Sequence, residues 1–124
     1  TRILVVDADR NATEAVRQVF EDLGGYVVET ASDALSAAIA CGASVPDVVV
    51  FDVSGGDPVA FISALRNRPG FQTTRFFASG PAFTDDGISL VRRGYEAAFR
   101  KPYSVRTLLE AISTNRAYGA RKAG

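Results

Sequence analysis

Short apolar runs along the chain alternate with segments of helical periodicity, and this alternation occurs five times. The runs are four or five residues long, rich in β-branched and aromatic side chains, and bounded by turn formers, which is typical of buried parallel strands. Five βα units with short connections predict an α/β fold, a doubly wound five-stranded parallel sheet with helices on both faces. The predicted strands cover 3–6, 26–30, 48–52, 75–79 and 97–100.

Polar residues that cap helices indicate where each predicted helix begins. Their side-chain oxygens accept hydrogen bonds from the free N–H groups of the first turn. Asn11, followed three positions later by Glu14, has the arrangement of a capping box and predicts the start of the first helix. The other predicted N-caps are Ser32, Asp57 before Pro58, Thr84 or Asp85, and Ser104.

Four of the predicted strands end at residues that phosphoryl chemistry can use. Asp7 follows the first strand and Asp52 ends the third, whereas Ser79 ends the fourth and Lys101 follows the fifth. In an open parallel sheet, ligands bind outside the carboxyl ends of the strands. Two carboxylates, a hydroxyl and an ammonium are therefore predicted to meet at one edge of the sheet.

The composition is that of one ordinary globular domain, which we assign to residues 1–118, followed by a basic tail over 119–124. Of the 124 residues, 47% are apolar and 23% charged. The net charge of zero gives no electrostatic support for binding nucleic acid or a membrane, and no apolar run is long enough to span a bilayer. The lone Cys41 can form no internal disulfide, so we expect a cytoplasmic protein.

The absence of histidine narrows the chemistry further. The chain contains none, which removes the usual general base and the commonest ligand of transition metals. Histidine-centred catalysis and zinc chemistry are thus poor hypotheses, and an oxygen-based site is favoured. We do not expect an enzyme.

The polar strand ends resemble, in order and spacing, those of the receiver domains of bacterial two-component response regulators. The matching residues are Asp7, Asp52, Ser79-Gly80 and Lys101-Pro102-Tyr103, and the similarity extends over essentially the whole chain. Residues 94–112 are most similar to receivers appended to hybrid sensor kinases. The resemblance implies a flavodoxin-like (βα)5 strand order and a cis Lys101–Pro102 peptide bond.

The resemblance also implies a function in a phosphorelay. Asp52 would be the phosphoacceptor, taking a phosphoryl group from a phosphohistidine of a sensor histidine kinase or a histidine phosphotransfer protein. Mg²⁺ would be held by Asp7, Asp52 and the backbone carbonyl of Ser54, while Lys101 and Ser79 would contact the phosphoryl oxygens. No nucleic acid or membrane partner is expected within these residues. Self-association into a homodimer, the cognate kinase and the downstream output stay open.

Three positions depart from the family pattern. Ala8 stands where receivers carry a second acidic metal ligand, so we expect Mg²⁺ binding to be about ten- to a hundredfold weaker. The loop Ser54-Gly55-Gly56 lacks the usual proline and is shorter. Ala98 replaces the aromatic residue that many receivers carry three positions before the lysine.

Two alternatives compete with the phosphoacceptor hypothesis. The departures at Ala8 and Ala98 suit a receiver-like module that binds a protein without being phosphorylated. The tract Asp7-Ala8-Asp9 also resembles the Asp-x-Asp motif of haloacid dehalogenase phosphatases. That family requires a further acidic strand end after the lysine, which this chain lacks, and Asp52 would have no role.

Overall fold

Five parallel strands form a single sheet in a computed structural model that describes residues 1–83, 85 and 87–113. The order of the strands is β2-β1-β3-β4-β5, so the predicted fold class and the flavodoxin-like strand order are confirmed. The strands are β1 (Arg2–Val6), β2 (Val27–Ala31), β3 (Val48–Asp52), β4 (Arg75–Gly80) and β5 (Tyr95–Arg100).

A helix follows each strand. The helices are α1 (Arg10–Leu23), α2 (Ala34–Ala43), α3 (Pro58–Arg66), α4 (Ile88–Arg92) and α5, which begins at residue 105 and continues to 113, where the description ends. A short 3-10 turn, Val53–Gly55, connects β3 to α3. The boundary at residue 118 and the basic tail over 119–124 lie outside the described residues. None of the helices in the described part of the chain is long and apolar enough to cross a membrane.

Alternate residues of the central strands pack against opposite layers of helices, as the pleat of a strand requires. Leu4 and Val6 of β1 share a buried cluster with side chains of α2, α3 and α4, whereas Ile3 and Val5 share one with α1 and α5. Strand β3 divides in the same way and is buried along its full length. Burial on both faces explains why these strands are continuous apolar runs rather than alternating ones.

Two of the predicted helix caps are wrong and two are confirmed. Asp9, not Asn11, is the N-cap of α1, because its carboxylate accepts hydrogen bonds from the N–H groups of Asn11 and Ala12. Asp33 rather than Ser32 caps α2. The confirmed caps are Asp57, whose carboxylate accepts from Val59 and Ala60, and Ser104, whose hydroxyl accepts from Thr107.

The start of α4 also differs from the prediction. The helix begins at Ile88 after Gly87, and the carboxylate of Asp85 lies before it, accepting the N–H of Ser89. Thr84, the other predicted cap, lies outside the described residues. The strand boundaries differ only slightly, since β2 is displaced by one residue and β5 begins two residues earlier than predicted.

Candidate functional site

The carboxylates of Asp7 and Asp52 lie at the carboxyl ends of two neighbouring central strands. Val6 pairs with Phe51 in the parallel ladder, so the residues that follow each of them emerge side by side. Both acidic residues are buried, with 8% of Asp7 and 4% of Asp52 exposed. Acidic residues are rarely buried to this degree unless they are paired, so a cation is required nearby.

Lys101 supplies that cation. Its ammonium lies 2.5 Å from Oδ2 of Asp7 and 3.6 Å from Oδ1 of Asp52. Its backbone N–H donates to the carbonyl of Gly80 at 2.8 Å, which fixes the segment after β5 to the end of β4. Burial disfavours the charged ammonium, but the hydrogen bond and charge of Asp7 outweigh this effect and raise the pKa of Lys101. The Lys101–Pro102 peptide bond is cis, as the resemblance implied.

The two carboxylates differ in how their oxygens are satisfied. Oδ1 of Asp7 accepts the N–H of Asp9 at 2.9 Å, and Oδ2 accepts from Lys101, so each oxygen has a donor. Oδ1 of Asp52 is buried and has no hydrogen-bond donor within the described residues. An unsatisfied buried carboxylate oxygen is costly, and a bound cation would satisfy it.

Ser79 lies beside Asp52, because the two residues are paired across the β3–β4 ladder. Its side chain is 1% exposed and lies beside the phenol of Tyr103. Burial raises the pKa of that phenol. The ring of Tyr103 packs against Phe99 at a centroid distance of 5.5 Å. Local sequence carries no signal for the role of the Tyr103 side chain, because its proximity to Ser79 joins segments far apart in the chain.

The loop after Asp52 packs closely against the start of α2. Ser54 is exposed within the 3-10 turn Val53–Gly55. A β-carbon on Gly55 would lie 3.4 Å from Cα of Asp33, and one on Gly56 would lie 3.1 Å from Cβ of Ala34. Gly56 also has a positive φ of 153°. The two glycines therefore allow the shortened loop to approach the helix.

The residues that follow Asp7 in the chain provide no further acidic ligand at the site. Ala8 is exposed and has no polar side chain, and the carboxylate of Asp9 caps α1 instead of joining Asp7. Because Asp9 caps a helix, the Asp7-Ala8-Asp9 tract does not place two carboxylates together as the haloacid dehalogenase alternative requires. In the described ranges no cluster of three or more His, Cys, Asp or Glu side chains could hold a metal. Two carboxylates and an unsatisfied Asp52 oxygen still fit a hard cation that retains several water ligands.

Comparison with known proteins gives one family. The chain matches the family model described as the response regulator receiver domain over residues 3–113. No curated protein matches it.

Many solved structures share the fold. A chemotaxis response regulator, CheY4, of Vibrio cholerae has a TM-score of 0.82 at 23% identity, covering 93% of this chain and 98% of its own. The receiver domain of a DNA-binding response regulator from Colwellia psychrerythraea has a TM-score of 0.79 at 26% identity, covering 90% and 94%. A CheY-like receiver domain protein from Methanospirillum hungatei has a TM-score of 0.79 at 25% identity, covering 100% and 98%.

Proposed function

The chain belongs to the response regulator receiver domain family, and from that premise we propose that Asp52 accepts a phosphoryl group from a phosphohistidine. The donor would be a sensor histidine kinase or a histidine phosphotransfer protein. The observation that carries the proposal is the buried Asp52 carboxylate, which has Lys101 3.6 Å away and an oxygen without a hydrogen-bond donor among the described residues. This carboxyl group is buried, lies next to the ammonium and is incompletely satisfied.

The proposed step is a displacement at phosphorus. A carboxylate oxygen of Asp52 attacks the phosphorus atom, the P–N bond to the imidazole breaks, and the nitrogen leaves with the bonding pair. An acyl phosphate forms on Asp52. The protein contributes mainly position and charge stabilisation, because the transition state of phosphoryl transfer is loose.

Lys101 and Ser79 would stabilise the transferred group. The ammonium of Lys101 bridges the two carboxylates and would turn toward phosphoryl oxygens that bring additional negative charge. The Ser79 hydroxyl lies next to Asp52 in the sheet and beside the Tyr103 phenol, and it would exchange its place near that phenol for a hydrogen bond to a phosphoryl oxygen. This exchange would shift the population of conformations on the side of β5 and the last two helices, and so switch binding of a partner.

Receiver domains typically bind Mg²⁺ at the phosphorylation site. In this chain Asp7, Asp52 and the carbonyl of Ser54 would hold it, and the bound ion would neutralise charge on the phosphoryl oxygens. Two features support weak binding. Ala8 contributes no carboxylate, and both oxygens of Asp7 already accept hydrogen bonds, one of them from Lys101.

The proposal is tested by phosphorylation with a small donor. The full chain is incubated with phosphoramidate at a high and a low Mg²⁺ concentration, and its intact mass is measured. We expect one phosphoryl adduct on the parent protein and none on Asp52→Asn. Asp57→Asn serves as the matched control, because Asn also caps helices and Asp57 lies outside the site.

Two results would contradict the proposal. An adduct that persists in Asp52→Asn would place the phosphoryl group elsewhere. The absence of any adduct on the parent protein at high Mg²⁺ would favour a module that binds its partner without phosphorylation.

A further inference from the structure

Gly80, the last residue of β4, is in contact with three other parts of the chain. A β-carbon at this position would lie 2.7 Å from Cγ2 of Val53 and 3.3 Å from Cζ of Phe83. Its carbonyl accepts the N–H of Lys101 at 2.8 Å. Gly80 does not have a positive φ, so the position requires glycine for space and not for backbone conformation. The side chains of Val53 and Phe83 fill the space that a larger residue would need.

These contacts join the two strand ends that carry the proposed phosphoacceptor and the neighbouring hydroxyl. Val53 follows Asp52 directly, and Gly80 follows Ser79. Asp52 and Ser79 are themselves paired across the β3–β4 ladder. The ring of Phe83 therefore lies where the two strands leave the site, one residue beyond the groups that would contact a phosphoryl group.

A short, exposed and stiff segment connects Gly80 to Phe83. Pro81 and Ala82 are exposed, whereas the ring of Phe83 is partly buried and packs back against the hydrophobic core. Proline has a fixed φ, so a movement of Gly80 is transmitted to the residues that follow it rather than absorbed. Moving the Phe83 ring into solvent costs only the burial of the part that is now covered. The ring is thus the part of this segment that can respond to a movement of Gly80.

We infer that Phe83 couples the state of Asp52 to the surface beyond β4, an inference that rests on the proposed function of Asp52. A phosphoryl group on Asp52 would draw the Ser79 hydroxyl, and with it Gly80, toward the acceptor. The space between Gly80 and Val53 narrows, and the ring of Phe83 leaves it. Phe83 acts through Gly80 and is therefore a positioning residue. Its exposed ring offers a partner an aromatic anchor that the unphosphorylated chain keeps partly covered.

A single tryptophan in place of Phe83 tests the inference, because the chain contains no other tryptophan. The full chain carrying Phe83→Trp is incubated with phosphoramidate and Mg²⁺, and its fluorescence emission, acrylamide quenching and intact mass are followed together. We expect quenching to increase about twofold, and the emission to shift to longer wavelength, as the population with an exposed ring grows. Both changes should follow the adduct in time and be absent from Phe83→Trp/Asp52→Asn.

Tyr26→Trp is the matched control. Tyr26 is also partly buried, and its ring packs edge-on against Phe20 at a centroid distance of 5.0 Å. It precedes β2 and so lies at the opposite end of the sheet from Asp52. The emission of this variant should stay constant while the adduct forms. An equal change in the two variants would indicate a change throughout the protein and would overturn the inference.

Gly80→Ala in the Phe83→Trp chain tests the same contact without phosphorylation. The added methyl group takes the space beside Val53, so the indole should already be as exposed as in the phosphorylated single variant. Circular dichroism checks that each variant is folded. A folded double variant whose indole stays as covered as in unphosphorylated Phe83→Trp overturns the inference.

The intact mass separates failure of this inference from failure of the proposed function. An adduct on Phe83→Trp without a change in quenching overturns the coupling and leaves the role of Asp52 intact. The absence of an adduct on both the parent and Phe83→Trp overturns the proposed function, and the coupling with it.

Discussion

Gly87 lies directly against Ala98, so closely that a β-carbon on Gly87 would be 2.5 Å from Cβ of Ala98. Gly87 precedes α4 and has a φ of 81°, in the left-handed region. The start of α4 thus occupies the space beside β5 at position 98. A larger side chain there would collide with the Gly87 backbone, which gives a physical reason for the alanine where many receivers have an aromatic residue.

Gly87→Ala is expected to destabilise the protein. The added methyl group must displace Ala98 or the backbone that carries it, and an alanine at positive φ is itself strained by about 1 kcal/mol. Together we expect the free energy of unfolding to fall by about 2–4 kcal/mol, measured by urea denaturation. Ala98→Gly in the same chain should recover part of this loss by removing the collision, although the backbone strain would persist.

Gly42→Ala is the matched control for that substitution. Gly42 lies within α2, has no positive φ, and a β-carbon there would meet nothing within 4 Å. Alanine should therefore stabilise the helix by about 0.5–1 kcal/mol. Equal effects of the two substitutions would contradict the contact between Gly87 and Ala98.

The sequence was sufficient to predict the strands and their parallel sheet. It was insufficient to predict details that contacts between distant segments determine. The buried run 48–52 was predicted to the residue, because burial on both faces leaves a continuous apolar signal. Asn11 and Asp9 are both good caps, and local sequence could not choose between them. The path of the chain after β1 makes Asp9 the cap, and the same path brings the Asp9 N–H to the carboxylate of Asp7.

The candidate site shows the same limit. The order of the strands brings Asp7, Asp52 and Lys101 together, and this much followed from residues at strand ends. No pattern in the sequence near either residue indicates that Tyr103 lies beside Ser79. The approach of Gly56 to α2 likewise depends on where a neighbouring unit packs.

Ala8→Asp should strengthen Mg²⁺ binding. It adds a third carboxylate next to Asp7, at a position where the alanine is exposed and a longer side chain can be accommodated. We expect about ten- to a hundredfold tighter binding, measured by isothermal titration calorimetry. Ala8→Asn is the control of equal size without the charge and should give a much smaller gain. Equal affinity for the aspartate and asparagine variants would show that charge at position 8 does not limit metal binding.

Lys101→Met should reduce both phosphorylation and stability. Without the ammonium, Asp7 and Asp52 remain as two buried carboxylates with no cation between them, and the transferred phosphoryl group loses its donor. We expect adduct formation from phosphoramidate to slow by about a hundredfold or more. The free energy of unfolding should fall by about 1–2 kcal/mol at neutral pH, a value reduced because Lys101 is a quarter exposed.

The double variant Asp7→Asn/Lys101→Met provides the control for Lys101→Met. Removing one carboxylate relieves the repulsion, so the double variant should be more stable than Lys101→Met alone while remaining slow to phosphorylate. A Lys101→Met protein as stable as the parent would mean that the ammonium does not compensate the two carboxylates.

Stability should fall at alkaline pH because three groups hold their protons more tightly in the folded chain. Burial raises the pKa of the Tyr95 and Tyr103 phenols, and Asp7 raises the pKa of Lys101 against the opposing effect of burial. Between the unfolded and folded pKa values the native state binds more protons, so the free energy of unfolding decreases as pH rises. The contribution of these three groups to the free energy of unfolding is intact below about pH 10, where the phenols and the amine of the unfolded chain are still protonated.

Tyr95→Phe isolates the largest of these effects. The Tyr95 hydroxyl donates to the carbonyl of Pro58 at 2.7 Å, and the residue is 1% exposed, so the phenolate would be both buried and deprived of its hydrogen bond. Urea denaturation at several pH values from about 8 to 11 should show a steep decrease for the parent above pH 10. The variant should be less stable at pH 8, because it lacks the hydrogen bond, and should lose less stability on the way to pH 11. Parallel curves for the two proteins would mean that ionisation of Tyr95 is not coupled to unfolding.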